Sequence, residues 1–230
     1  MQEILFLVGL ALAPVIFIFT LVYLLDQYDR EPLKMLVGTF MLGVASAIPA
    51  IWLEVNLTQV LGVDAGPNFF DTLVFAMLVV ATSEELVKFL AVRVWAYRSR
   101  HFNEPYDGIM YCVAASLGFA AIENVGYVLQ YGYETGLFRM FTAVPGHAMM
   151  GVIMGYFVGL GKYKTAPEQR TAYTILGVFA AILVHGLYDF FLMWDQGYVA
   201  VLALVVLFVA LVLSVRAVRL HRRISPFRPK

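Results

Sequence analysis

Seven apolar runs, at about 4–25, 34–57, 70–95, 107–130, 138–161, 172–194 and 198–216, account for most of this 230-residue chain. Each is close to the roughly 20 residues that an α-helix, rising about 1.5 Å per residue, needs to cross a bilayer. Inside hydrocarbon every backbone polar group must be satisfied internally, and continuous runs of this length satisfy theirs as helices. The expectation is therefore an all-α polytopic membrane bundle of about seven transmembrane helices. No repeat, low-complexity tract or linker divides the chain, so residues 1–230 are expected to form a single transmembrane domain. With 61% hydrophobic and 14% charged residues, the chain carries more apolar surface than a soluble fold of this size could bury. The first run follows Met1-Gln2-Glu3, without the basic segment or small-residue cleavage site of a signal peptide, and is expected to stay as the first span.

The basic residues orient the bundle. Arg30 and Lys34 lie between runs one and two, Arg98 and Arg100 between three and four, and Lys162, Lys164 and Arg170 between five and six. Arg216, Arg219, Arg222, Arg223, Arg228 and Lys230 follow run seven, whereas the alternate connections hold only Arg139. The positive-inside rule then puts the N-terminus outside and the C-terminus in the cytoplasm, with the tail 216–230 as a headgroup anchor. Sixteen basic and sixteen acidic residues balance, so a nucleic-acid partner is not implied and the bilayer is the expected surroundings. Cys112, the lone cysteine, reads as a small buried hydrophobe.

Against that background the charges inside the runs stand out. Run three carries Glu84-Glu85-x-x-Lys88, run four Phe119-x-x-x-Glu123-Asn124, run five Pro145-Gly146-His147, and run six His185-x-x-x-Asp189. His185 and Asp189 are four residues apart and share a helix face, as do Glu84 and Lys88 in the orientation that favours an ion pair. Lys88 is expected to be structural, neutralising one of the two carboxylates. Five charged side chains left unpaired in hydrocarbon would cost on the order of 15 kcal/mol, as much as the whole net stability of a domain, so these groups are expected to converge in one hydrated pocket. His147, Gly151, Gly155 and Gly159 form a stripe that lets a neighbouring helix approach closely. Pro145 is expected to kink or open run five. Glu54, beside Trp52, reads as interfacial, and Glu3, Asp64, Asp71, Glu134 and Asp195 as loop or helix-end residues.

At these residues the chain resembles the PrsW family of intramembrane proteases, which is similar to the CAAX-prenyl-protease-like membrane enzymes. The family pattern of Glu-Glu-x-x-Lys, Phe-x-x-x-Glu-Asn, a histidine, and His-x-x-x-Asp is met in order by Glu84-Glu85-x-x-Lys88, Phe119 to Asn124, His147, and His185 to Asp189. The resemblance covers about residues 26–194, including Asp29-Arg30-Glu31-Pro32 ahead of run two. It implies a prokaryotic cytoplasmic-membrane protease that cuts a membrane-anchored protein, with the first cleavage of an anti-sigma factor as the best-known role.

Two routes to peptide hydrolysis fit the residue types. In one, Glu84 or Glu85 takes a proton from water, His147, His185 and Asn124 orient the water and stabilise the oxyanion, Glu123 supports them, and Asp189 fixes the tautomer of His185. The similarity to the CAAX-prenyl-protease-like enzymes favours this metal-free route, while the PrsW resemblance itself does not settle the metal question. In the other, His147, His185 and a carboxylate from Asp189, Glu123 or Glu85 hold zinc, which leaves an open position for water. Helix spacing leaves the choice between Glu84 and Glu85 open. A proton-coupled transporter would also place acids and histidines at mid-membrane, but no internal repeat pairs the two halves. A non-catalytic scaffold that binds transmembrane helices would use the glycine stripe and would not need Glu84, Glu85, His147 and His185 together.

Overall fold

The computed structural model of the protein describes residues 2–194 and 197–229; Asp195 and Lys230 lie outside them. The described residues contain helices and no strand. Helices α1 (Gln2–Leu25), α2 (Leu33–Leu61), α5 (Pro105–Tyr131), α8 (Pro167–Met193) and α9 (Ala200–Ile224) are each long and apolar enough to cross a membrane. So is the pair α6 (Tyr133–Phe141) and α7 (Ala143–Lys162) taken as one stretch. The remaining expected span is continuous but not uniform: α3 (Phe69–Val74) passes into a π-helical segment, Phe75–Ala81, and then into α4 (Thr82–Trp95). Chain chemistry sets the ends. Asn68 caps α3 by accepting from the backbone N–H groups of Phe70 and Asp71, while Pro105 and Pro167 open α5 and α8 in the turn where a missing N–H costs nothing. Gly62, at φ 64°, supplies the left-handed residue that ends α2.

Two expectations about the fifth span change. It does not run unbroken from 138, because Thr142 interrupts it and separates α6 from α7. Pro145 does not kink it either: it is the third residue of α7, in the first turn, where backbone N–H groups have no partner within the helix.

Helix α5 forms the centre of the bundle, buried along nearly all of Tyr106 to Ala121. The glycine stripe explains how α7 reaches it. A Cβ at Gly155 would overlap the Gly108 carbonyl and one at Gly159 the Pro105 carbonyl, so the two backbones touch where side chains would otherwise stand. Large apolar side chains such as Phe17, Ile48, Phe70, Phe179 and Phe208 are exposed around the outside, the surface that lipid rather than water solvates.

The connections that carry the basic residues meet at one end of the bundle. Asn103 donates to Asp29 at 2.8 Å, Lys162 donates to the Tyr97 carbonyl at 2.6 Å, and Arg222 of α9 donates to Gln27. At this end the Asp29-Arg30-Glu31-Pro32 stretch is tied down: the Glu31 carboxylate accepts the Tyr111 hydroxyl, and its N–H donates to Asp26 at 3.2 Å. Burial pushes Asp26 up to about 6 and Glu31 up to about 7, with Asp29 adding repulsion to both. Both values exceed those of the unfolded chain, so the folded state holds extra protons and this contribution is full in acid and is lost as pH rises through about 6 to 7. The melting temperature in detergent is expected to fall between pH 5 and pH 8, at about 2–4 °C per kcal/mol for a chain of this size, and Glu31→Gln should flatten that slope. A slope of the opposite sign would refute the assignment.

Candidate active site

Glu84 and Glu85 are neighbours on α4, so their side chains leave the helix about 100° apart. Glu84 lines a cavity of about 640 Å³, whereas Glu85 is 0% exposed and points into the protein behind it. Lys88, one turn further along α4, joins them: its Nζ donates to Glu84 Oε2 and to Glu85 Oε1, both at 2.8 Å. The ammonium also lies 4.1 Å from the centre of the Phe119 ring, which gives the phenylalanine of the Phe-x-x-x-Glu-Asn motif a cation-stabilising role.

The two histidines extend this cluster in opposite directions. His147 of α7 donates from Nε2 to Glu123 Oε2 at 2.8 Å, which leaves Nδ1 to accept from Lys88 Nζ at 3.1 Å. His185 of α8 lies between carboxylates, with Nδ1 2.8 Å from Glu85 Oε1 and Nε2 3.2 Å from Asp189 Oδ2. Its Nε2 is also 3.8 Å from Glu84 Oε2. The rings of His147 and His185 meet edge to face at 5.2 Å. The chain of contacts Glu123–His147–Lys88–Glu84/Glu85–His185–Asp189 thus joins four helices, and each buried charge in it has a partner of opposite sign or a hydrogen bond.

Three residues fall elsewhere than the sequence reading placed them. Asn124, read as a water-orienting group, is fully buried; its amide donates to the Ala11 carbonyl of α1 at 2.9 Å and accepts from Arg139 Nε at 2.9 Å. Arg139, read as a loop residue, is on α6 and lines the cavity, with Nη2 3.0 Å from Glu123 Oε1 and its guanidinium 3.9 Å from the centre of the Tyr127 ring. Glu54, read as interfacial, is half-buried on α2 and lines the same cavity. The signal for Arg139 was present in the sequence: it is the lone basic residue among the connections opposite the basic end, fifteen positions after the Glu-Asn pair it serves.

The cavity also has a direction. Gln130, Thr135, Leu192 and Met193 line it, and these sit at the α5–α6 connection and the end of α8, away from the connections that carry the basic residues. Its floor is the charged network, and its walls include Ile51, Phe75, Ile122 and Phe138.

Glu84, Glu85, His147 and His185 bring donor atoms within 4.8 Å of one another, a set whose chemistry would suit zinc. Lys88 stands against it. Its Nζ lies 2.8, 2.8 and 3.1 Å from three of those four groups, so the ammonium competes with a cation for their donor atoms and repels a dication beside it. Asp189 is not one of the four and faces the Nε2 side of His185. Zinc is thus possible at this donor set, in competition with Lys88 for three of its four groups.

Comparison with known proteins agrees with the motifs. A protein named Protease PrsW from Bacillus subtilis (strain 168) is 35% identical over 186 residues, covering 81% of this chain and 82% of the relative. Proteins of the same name from Geobacillus kaustophilus (strain HTA426), 35% identical over 81% of this chain and 80% of theirs, and from Clostridioides difficile (strain 630), 34% identical over 78% and 76%, are similar too. No solved structure matches the chain. Bacterial relatives and membrane-spanning helices together make this an integral protein of the bacterial cytoplasmic membrane. Residues 31–215 match the family described as PrsW family intramembrane metalloprotease, and the chain belongs to that family of membrane proteases.

Proposed function

We propose that the protein cuts a membrane-anchored protein substrate by glutamate-activated water, with Glu84 as the base and no metal. The observation that carries this reading is the division of labour in the pair: Glu84 borders the cavity and is ion-paired through Oε2, and Oε1 has no hydrogen-bond partner among the described residues. A water on Oε1 can give its proton to Glu84 as its oxygen bonds to the substrate carbonyl carbon and the carbonyl electrons move onto oxygen. Collapse of that intermediate breaks the C–N bond, and the proton held by Glu84 passes to the leaving amine. The cavity-lining cation that can stabilise the oxyanion is Arg139. His147 and His185 each have both ring nitrogens engaged and act as positioning residues, as do Glu85, Glu123, Asn124 and Asp189.

The mouth of the cavity lies opposite the basic end of the bundle, and the positive-inside rule makes that the outer side, with the N-terminus outside and the C-terminus in the cytoplasm. Cleavage then falls in the outer juxtamembrane part of the substrate. The family role makes an anti-sigma factor the natural substrate. The test is cleavage of a single-span test substrate by the purified enzyme in detergent, with the cut mapped by mass spectrometry and a strong chelator present or absent. Unchanged turnover in chelator is expected. Loss of activity that zinc restores would overturn the metal-free reading and make His147 and His185 ligands.

A further inference from the structure

The cavity holds one acidic group that the catalytic network does not account for. Of the carboxylates lining it, Glu84 is paired with Lys88, Glu123 with Arg139 and His147, and Asp189 with His185. Glu54 also lines it and has no ion pair or hydrogen bond among the described residues. An unpaired carboxyl group at membrane depth is costly, and such groups normally face a partner or a substrate path.

The surroundings of Glu54 indicate the kind of partner. Ala47, Ile51 and Glu54 recur at four and three residues along α2 and all line the cavity, so they form one stripe that starts apolar and ends in a carboxylate. Phe75 adds an aromatic wall from the π segment. A stripe of this kind fits a lysine or arginine side chain, with its alkyl stem along the apolar part and its charged head on the acid. Arg139 in the cavity and Lys88 buried behind its wall are held by other carboxylates, so neither is spare to fill this role.

We infer that Glu54 is a specificity-determining residue that selects substrates with a basic side chain within a few residues of the scissile bond, on the side nearer the mouth of the cavity. The inference rests on the cavity being the site of cleavage. It extends that reading by naming the class of substrate side chain that the site takes.

The test is a panel of single-span test substrates carrying Lys, Gln or Glu in turn at each residue flanking the bond that the wild-type enzyme cuts. At one position the wild-type kcat/KM for the Lys substrate should exceed that for its Gln counterpart by about tenfold or more, the effect of one close charge pair in a desolvated site. Glu54→Gln should bring that ratio close to one, and Glu54→Lys should invert the order of the Lys and Glu substrates. Because each ratio is taken within one enzyme preparation, partial loss of folded protein cancels. Equal cleavage of the whole panel by wild type, or a Lys preference that survives in Glu54→Gln, overturns this inference and leaves the protease site intact. Cleavage that neither Glu84→Gln nor Glu85→Gln lowers overturns the site and this inference with it.

Discussion

Glu84→Gln is expected to lower kcat on a single-span substrate by about 10²–10⁴, the usual contribution of a positioned base, while leaving the fold intact. The side chain keeps its size and can still accept from Lys88, which retains Glu85 as its counter-ion. Glu85→Gln should behave differently, although it is the adjacent residue. Glu85 does not line the cavity; it holds Lys88 and His185 from behind, with Oε1 shared between them. Its loss should cost about tenfold through misplacement of His185, together with a measurable drop in melting temperature. Single-turnover rates and thermal melts on both variants decide the matter. If Glu85→Gln is the inactive variant and Glu84→Gln still turns over, the roles of the two are reversed.

The second large effect is expected at Lys88. Lys88→Met leaves two buried carboxylates facing each other with no ammonium between them and removes the donor to His147 Nδ1. Breaking a buried ion pair by deleting one partner costs about 3–5 kcal/mol, and here one cation serves two anions. At about 2–4 °C per kcal/mol the melting temperature should fall by roughly 6–20 °C, with activity lost. Adding Glu85→Gln to Lys88→Met should recover part of that loss, since it removes one of the orphaned charges; the two effects then fail to add, as expected for groups in one network. The same substitution offers a separate check on the metal question. With the ammonium gone, the Glu84, Glu85, His147 and His185 donors are free to gather around a cation, so zinc should stabilise Lys88→Met and leave the wild type unchanged. Equal stabilisation of both proteins by zinc would mean that Lys88 does not occupy the cation position.

What could be read from the sequence divides along a physical line. Partners on one helix were legible because a turn repeats every three to four residues: Glu84 and Glu85 with Lys88, and His185 with Asp189, are pairs that spacing alone identifies. Convergence of four helices on one site was legible from cost, because isolated charges in hydrocarbon need partners. Adjacent residues misled. Asn124 follows Glu123 in the motif and so was grouped with it, yet one step along a helix turns about 100°, and only Glu123 reaches the cavity. Arg139 and Glu54 were placed wrongly for another reason. Each lies near the end of an apolar run, where a charge ordinarily meets headgroups, and only the way α6 packs and α2 turns brings them inward. That the basic connections share one end followed from the alternation of charge along the chain, and the contacts of Asp29, Lys162 and Arg222 hold that end together.

The π segment ahead of Glu84 has a further consequence. A π turn closes between residues five apart instead of four, so Phe75–Ala81 takes up about one residue more than an α-helix of the same height would. The third span is therefore a screw with one misfitted thread, and the direction in which Glu84 faces depends on that thread staying in place. Were residues 75–81 to rewind into α-helix with the Asn68 end fixed, everything beyond would swing by about the 100° of a single residue, enough to exchange the places of Glu84 and its neighbours. The length of chain between Asn68 and Glu84 thus sets which side chain of α4 faces the cavity, although none of the residues at 75–81 carries a charge.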